Sequence, residues 1–227
     1  MGKVLLSGGG DKEQTEIIDQ YFVKQINPNK PLLYIPIALK GVIPFENCYE
    51  WITSVFKPIG IENITMWTDL DKKSIHDLNK FSAVYIGGGN TFSLLNDLRT
   101  SEFDKVLTAY IANEGVIYGG SAGAIVLGAN IMTSAHMDPN NIDFQNFDGL
   151  GLIGDYSLWC HYHVKNDHLI NDYIKDYKKP VIALAEETGV CFDNKSLIVI
   201  GNAPAYVFED QSKREIKPGN LIREFSK

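Results

Sequence analysis

One short segment has the composition of a strand that turns directly into a helix around a single serine. Residues 116–118 are β-branched or aromatic, Gly120-Ser121-Ala122-Gly123 is small, and the residues that follow are small and apolar. So tight a turn strains the serine and exposes its Oγ at the carboxyl edge of the sheet, as in a nucleophile elbow. The pattern therefore indicates a nucleophilic Ser121, although a serine that merely caps the next helix fits the same residues.

A serine nucleophile also needs donors for the negative oxygen that forms during acyl transfer. Ala122 follows the serine at the positive end of a helix, and its N–H would point toward such an oxyanion. A second strand ends in Gly87-Gly88-Gly89-Asn90, whose exposed N–H groups could complete the oxyanion hole. Without a nucleophile, the same glycines are an ordinary structural turn.

The general base must be a histidine, and two candidates are close together in the sequence. His161 and His163 lie in residues 158–164, which have the pattern of a strand entering a loop, so both are expected on one face. Asp167 and His168 follow nearby, but the spacing fits no established pattern of metal ligands. We therefore expect a base in this segment and no metal.

The carboxylate that would orient the base is expected further along the chain. Glu186 and Glu187 close an apolar strand at residues 181–184. Two adjacent carboxylates at a strand end are costly unless at least one has a partner, and alternation along an extended segment would send them to opposite sides. Two solvated loop glutamates fit the same spacing equally well.

The elements around these residues alternate between short apolar strands and amphipathic helices. This pattern predicts an α/β fold with a parallel sheet covered on both faces. Strands are expected at residues 4–6, 32–37, 64–67, 83–86 and 116–118, and helices at 11–26, 45–56, from 91 onward, and 103–111. After residue 128 the chain is loop-rich to residue 160, and one more helix is expected at 166–178. Four closely spaced strands at 181–184, 189–192, 197–200 and 205–208 are expected to form an antiparallel extension of one domain spanning residues 1–227.

The composition limits the class of protein and its partners. The 227 residues are 44% hydrophobic and 22% charged, as in an ordinary globular protein, and the net charge of −7 argues against nucleic acid or an anionic membrane as a partner. No apolar run approaches the ~18 residues of a membrane span. Cys48, Cys160 and Cys191 match no zinc spacing and are interpreted as reduced thiols, which predicts a cytoplasmic protein.

Five blocks follow one another along the chain: Gly87-Gly88-Gly89-Asn90-Thr91-Phe92, Gly120-Ser121-Ala122-Gly123-Ala124, Phe147-Asp148-Gly149-Leu150-Gly151-Leu152, His161-Tyr162 and Glu186-Glu187-Thr188. Taken together, these blocks resemble the serine peptidase family of aspartyl dipeptidase (peptidase E) and cyanophycinase. The first two blocks are specific only in combination. The resemblance covers nearly the whole chain and implies a flavodoxin-like fold, related to class I glutamine amidotransferases but with serine in place of cysteine at the elbow.

The resemblance also implies roles for individual residues. Ser121 would be the nucleophile, a histidine from a His-aromatic pair the base, and an acid near Glu186 the orienting group. The oxyanion hole would use the Gly88/Gly89 loop and Ala122. His161 is followed by Tyr162 and His163 by Val164, so His161 is the expected base and His163 the alternative.

Two positions depart from the family pattern. Cys160 stands before His161 where the family usually has proline. His136 stands near the place where aspartyl dipeptidases carry an aspartate once assigned to the triad. This second departure shifts the orienting role to Glu186 and puts specificity for Asp-Xaa dipeptides in doubt.

The sequence thus predicts a cytoplasmic serine hydrolase, exopeptidase- or dipeptidase-like, that cleaves a small peptide or peptide-like amide through an acyl-enzyme on Ser121. No metal or organic cofactor is expected, and the chain is expected to be a monomer or homodimer. Two alternatives belong to other classes: a non-catalytic module that binds a small ligand on the same fold, and a nucleotide or phosphate binder. Two glycine loops, Ser7–Asp11 and Gly87–Asn90, follow strands at the edge of the sheet where a site is expected. Neither matches the spacing of a phosphate loop or a dinucleotide fingerprint.

Overall fold

The computed structural model describes residues 2–193, 195–209 and 212–224. The strands are β1 (Lys3–Ser7), β2 (Leu32–Ile35), β3 (Ile64–Met66), β4 (Ala83–Ile86), β5 (Val116–Gly120), β6 (Ser157–Trp159), β7 (Val181–Ala183), β8 (Thr188–Phe192), β9 (Ser196–Gly201), β10 (Ala205–Glu209), β11 (Ser212–Ile216) and β12 (Leu221–Glu224). The helices are α1 (Lys12–Val23), α2 (Phe45–Phe56), α3 (Ile75–Leu78), α4 (Thr91–Thr100), α5 (Phe103–Ala112), α6 (Ala122–Leu127) and α7 (Asp167–Tyr177). Short 3-10 turns occur at Ile37–Leu39, Lys57–Ile59, Ile131–Ser134 and Val164–Asn166.

The main sheet has eight strands in the order β12-β9-β8-β1-β5-β4-β2-β3. The five strands from β1 to β3 in this order run parallel, whereas β8, β9 and β12 add to the sheet as antiparallel strands. The predicted mostly parallel sheet with an antiparallel extension is therefore confirmed. None of the helices in the described ranges is long and apolar enough to cross a membrane.

Both faces of the main sheet are covered, and strand alternation divides the core between them. Leu6 packs in the apolar cluster that includes residues of α4, α5 and α6, whereas its neighbour Leu5 packs in the cluster that includes residues of α1 and α2. Because side chains alternate along a strand, β1 contributes to two separate cores. Because β1, β5 and β4 are neighbouring parallel strands, their carboxyl ends meet at one edge of the sheet, where the candidate residues lie.

A second sheet was not predicted. It has four strands in the order β11-β10-β7-β6, and β6 and β7 run parallel. The expectation that residues 181–184 and 205–208 would extend the main sheet was wrong, because β7 and β10 pair with each other instead. They have an apolar cluster of their own, in which Val181 and Phe208 pack with Ile170 and Tyr173 of α7.

Several element boundaries also differ from the prediction by one to three residues, and two of these differences have a clear physical reason. The strand expected to reach residue 37 ends at Ile35, since Pro36 has no N–H to continue the ladder. α1 ends at Val23 rather than at residue 26, yet Ile26 still packs against the core from the turn that follows. Its burial explains why the apolar pattern continues beyond the end of the helix.

Candidate active site

Ser121 lies at the junction of β5 and α6 in a conformation that a residue with a Cβ rarely adopts. Its φ is 51° and its ψ is −116°. The backbone is held on both sides, because Ser121 N–H donates to the carbonyl of Ser7 at 3.2 Å and its own carbonyl accepts from Ala124 and Ile125. The expected tight strand-to-helix turn is therefore present.

Small residues beside Ser121 make this turn sterically feasible. A Cβ on Gly119 would lie 2.5 Å from the carbonyl oxygen of Gly123. A Cβ on Gly123 would lie 2.2 Å from the carbonyl oxygen of Ile86, on the neighbouring strand. Neither position has room for a side chain, so the glycines are required for α6 to pack directly on β4 and β5.

His161 and Glu186 complete a chain of contacts that starts at Ser121. Ser121 Oγ lies 2.9 Å from His161 Nε2, and His161 Nδ1 lies 3.2 Å from Glu186 Oε1. The side chains of His161 and Glu186 are each 33% exposed. This order of hydroxyl, imidazole and carboxylate is the arrangement by which a serine hydroxyl is activated as a nucleophile.

The second sheet positions the imidazole. β6 ends at Trp159, and the next residues are tied to the segment after β7, since Tyr162 N–H donates to Leu184 O at 2.9 Å and Leu184 N–H donates to Trp159 O at 2.8 Å. His161 has a positive φ of 51°, and its N–H donates to the carbonyl of Gly8 at 3.0 Å. His161 is thus bound through its backbone to the loop after β1.

The structure does not bring His163, the alternative base, to Ser121. His163 is exposed, and its Nδ1 accepts a hydrogen bond from Lys165 N–H at 3.3 Å in the following 3-10 turn. The expectation that His161 and His163 share a face was wrong. The strand ends before either residue, and the positive φ of His161 breaks the alternation.

The two glutamates also lie outside a strand, contrary to the alternation expected for them. β7 ends at Ala183, and Glu186 and Glu187 occupy the turn before β8. Glu186 turns toward His161, while the carbonyl of Glu187 accepts from Asn202 N–H at 2.9 Å. The turn, rather than strand alternation, separates the two side chains.

Two glycine loops surround the serine and the imidazole. A Cβ on Gly9, whose φ is +97°, would lie 2.4 Å from His161 Cε1, so the ring fits only against glycine. A Cβ on Gly88 would lie 3.1 Å from Ser121 Cβ and 3.5 Å from its Oγ. The sequence predicts that the glycine loop after β1 lies at this edge of the sheet, but it assigns no role to Gly9 itself.

The candidate oxyanion donors lie around Ser121. Neither Gly88 nor Gly89 donates its N–H to a carbonyl within the described part of the chain. Ala122 is the first residue of α6, and the first N–H groups of a helix have no intrahelical acceptor. Gly88 lies against Ser121, whereas Gly89 packs closely on Ala38, whose carbonyl oxygen would be 2.3 Å from a Cβ on that glycine.

Comparison with known proteins identifies the chain. Residues 4–200 match the model of peptidase family S51. The chain belongs to this family. A peptidase E of Shewanella denitrificans is 26% identical over 205 residues, which cover 85% of this chain and 84% of the relative. A probable alpha-aspartyl dipeptidase of Drosophila melanogaster is 23% identical, covering 83% of this chain and 80% of the relative.

Solved structures of similar proteins support the fold. A putative peptidase E from Listeria monocytogenes has a TM-score of 0.71 at 23% identity and covers 88% of this chain and 98% of its own. A peptidase from an acI-B1 Actinobacterium has a TM-score of 0.72 at 19% identity, with 99% and 97% covered. The flavodoxin-like fold, the family resemblance and the assignment as a serine-type peptidase are therefore confirmed.

The structure accounts for the two departures from the family S51 pattern. Cys160 is buried behind the site, where its Sγ lies 3.5 Å from the carbonyl oxygen of Ser121, and burial raises the pKa of its thiol well above the usual range. The Cys160 side chain is therefore a packed, protonated thiol rather than a competing nucleophile. His136 stacks on Trp159 at 4.2 Å between ring centroids, and its Nδ1 lies 3.0 Å from Thr133 O.

Burial lowers the pKa of His136, so this ring is neutral near pH 7. His136 therefore presents an uncharged aromatic ring to Trp159. Within the residues that the structure describes, no group of three or more His, Cys, Asp or Glu side chains is placed to hold a metal ion.

Proposed function

We propose that this family S51 peptidase cleaves small peptides or peptide-like amides through an acyl-enzyme on Ser121, as an exopeptidase or dipeptidase. The observation that carries the proposal is the 2.9 Å contact between Ser121 Oγ and His161 Nε2, with Glu186 on the opposite ring nitrogen. His161 would accept the Oγ proton as Oγ attacks the scissile carbonyl carbon. Glu186 would hold the imidazole in the tautomer that presents a free Nε2.

The tetrahedral oxyanion would be stabilised by the N–H groups of Gly88 and Ala122, with Gly89 as a further donor from the same loop. His161 would then give its proton to the leaving amine as the carbon–nitrogen bond breaks. Water would enter, lose a proton to His161 and attack the ester, and Ser121 would recover its proton when the carboxylic acid leaves.

The relatives support a small substrate, since their names are peptidase E and probable alpha-aspartyl dipeptidase. A cytoplasmic location is part of the proposal and is supported by Cys48, Cys160 and Cys191, which are all buried and unpaired. Thiols in this state are typical of a reducing compartment.

A fluorophosphonate probe, which labels only an activated serine, tests the nucleophile. We expect the wild-type protein to be labelled and Ser121→Ala to be unlabelled. Ser54→Ala is a matched control, because Ser54 is exposed on α2 and its Oγ donates to Trp51 O, away from the triad. Labelling that persists in Ser121→Ala would exclude Ser121, and an unlabelled wild type would favour the non-catalytic ligand-binding module.

A further inference from the structure

A cavity of about 490 Å³ opens beside Ser121 and His161. We name its side-chain wall the aromatic pocket and define it by Tyr34, Leu39, Ile43, Trp51 and Tyr85. The pocket adjoins the nucleophile directly, because a Cβ on Gly120 would lie 3.0 Å from the hydroxyl of Tyr85. A substrate whose carbonyl lies at Ser121 therefore has a side chain next to this wall.

Three aromatic rings form a continuous surface in the pocket. The centroids of Tyr34 and Tyr85 are 5.6 Å apart, and that of Trp51 lies 6.4 Å and 6.3 Å from them. Tyr34 and Tyr85 are nearly fully buried in the floor, whereas Trp51 is 36% exposed. The ring edges and faces offer apolar contacts of the kind that bind another ring or a branched aliphatic chain.

The charges around the pocket oppose an acidic ligand. Among the described residues that line the cavity there is no Lys or Arg. Two carboxyl groups lie near the cavity instead. Asp19 Oδ2 accepts a hydrogen bond from Thr15 Oγ1 at 2.8 Å, and a Cβ on Gly10 would lie 3.0 Å from the Cβ of Glu186. Lys40 follows Leu39 in the sequence but lines a separate depression.

This environment favours large uncharged side chains over aspartate. A carboxylate entering the pocket would lose its hydration without gaining a cation, which is unfavourable by a wide margin. A phenylalanine or leucine side chain would instead gain by leaving water, at roughly 25 cal/mol for each Å² of apolar surface buried.

We infer that the aromatic pocket binds a large uncharged side chain, aromatic or branched aliphatic, of a residue that flanks the scissile bond. This inference rests on the proposed function, since it places that bond at Ser121. It assigns this chain a substrate class different from the one named in its relative, the probable alpha-aspartyl dipeptidase.

A dipeptide panel tests the inference, with cleavage followed by chromatography. The substrates are Phe-Ala, Leu-Ala and Asp-Ala, together with Ala-Phe, Ala-Leu and Ala-Asp. We expect kcat/KM for the best uncharged dipeptide to exceed that of either aspartyl dipeptide by at least about tenfold, and the order of residues reveals which side of the bond enters the pocket. An aspartyl dipeptide that is cleaved as well as or better than the others would overturn the inference.

Pocket variants connect the preference to the residues. Trp51→Ala should lower kcat/KM for the preferred dipeptide about tenfold and so reduce its ratio to that for the aspartyl dipeptide. Tyr49→Ala is the matched control, because Tyr49 is an equally exposed aromatic residue of α2 outside the pocket. Asn47→Arg, which adds a cation to the lining, should shift the ratio toward aspartyl dipeptides. An unchanged ratio in both pocket variants would contradict the inference.

Binding to the inactive Ser121→Ala variant separates this inference from the proposed function. Calorimetry should show that the preferred uncharged dipeptide binds at least about tenfold more tightly than its aspartyl counterpart, whether or not the wild type turns over. Tighter binding of the aspartyl dipeptide would refute the pocket assignment while leaving the serine chemistry to the fluorophosphonate result.

Discussion

Ser121 and His161 come from two differently constructed regions of the molecule. Ser121 and the glycine loops lie at the ends of β1, β4 and β5, three neighbouring parallel strands of the main sheet. His161 and Glu186 instead follow strands of the smaller sheet, after β6 and β7 have ended. Ser121, the proposed nucleophile, is therefore positioned by regular sheet geometry, whereas His161, the proposed base, is positioned by the way in which one sheet contacts the other.

The contacts at the junction beside the candidate site are close. His161 N–H donates to the carbonyl of Gly8 at 3.0 Å, and the imidazole lies against Gly9. Cys160 Sγ fills the space between the carbonyls of Ser7 and Ser121. A change at this junction should affect activity more than stability, because it displaces the base without removing a core.

The largest effect should come from removing the base. His161→Ala should lower kcat/KM by about 10⁴-fold or more, because the members of a triad act as a unit. His163→Ala should stay within about threefold of wild type, since His163 caps an exposed turn. Steady-state kinetics on the preferred dipeptide measures both, and the opposite ranking would assign the base to His163.

A smaller loss should follow when the imidazole is retained but its partner is neutralised. Glu186→Gln keeps the shape of the side chain and removes the charge that stabilises the imidazolium, so kcat should fall by about 10³-fold. Glu187→Gln, at the next residue of the same turn, should remain within about threefold. If Glu187→Gln or a His136 substitution proves crippling while Glu186→Gln does not, Glu186 is not the orienting residue.

The junction itself can be tested with one methyl group. Gly9→Ala places a Cβ 2.4 Å from His161 Cε1 at a φ of +97°, so the ring must move, and a displacement of this kind costs about 10²-fold in kcat.

Gly60→Ala is the matched control for Gly9→Ala. Gly60 has a φ of +101°, and nothing lies within 4 Å of its Cβ position. Both variants should lose a similar part of the free energy of unfolding through backbone strain, but only Gly9→Ala should lose activity. Equal activity losses would indicate strain rather than displacement of the base.

The same contrast explains what the sequence could predict. The bounds of α2 and β4 agree with the periodicity, and the turn at Ser121 was readable because glycine leaves few alternatives for the backbone. The pairing of β7 with β10 was not, because strand pairing depends on distant partners that alternation does not specify. The conformations of His161 and Glu186 were equally inaccessible, since both lie in irregular backbone after a strand has ended.

The smallest effect concerns Asp19, a buried carboxyl group beneath β5, the strand that leads to Ser121. Asp19 is 2% exposed and accepts hydrogen bonds from Thr15 Oγ1 at 2.8 Å and from the hydroxyl of Tyr118 at 2.9 Å. Burial raises its pKa from 3.8 to about 6, although both hydrogen bonds lower it. Ionised Asp19 therefore destabilises the folded chain relative to the unfolded one.

The sign of the resulting pH dependence follows from this raised pKa. The stabilisation by protonated Asp19 is fully present below the pKa of the unfolded chain and is lost as the pH rises through about 6. Asp19→Asn removes this titration, so between pH 4 and 7 the wild type should lose about 2 kcal/mol relative to the variant in urea unfolding. Asp172→Asn, at an exposed position of α7, should follow the wild-type curve. Parallel curves for wild type and Asp19→Asn would mean that Asp19 does not titrate in this range.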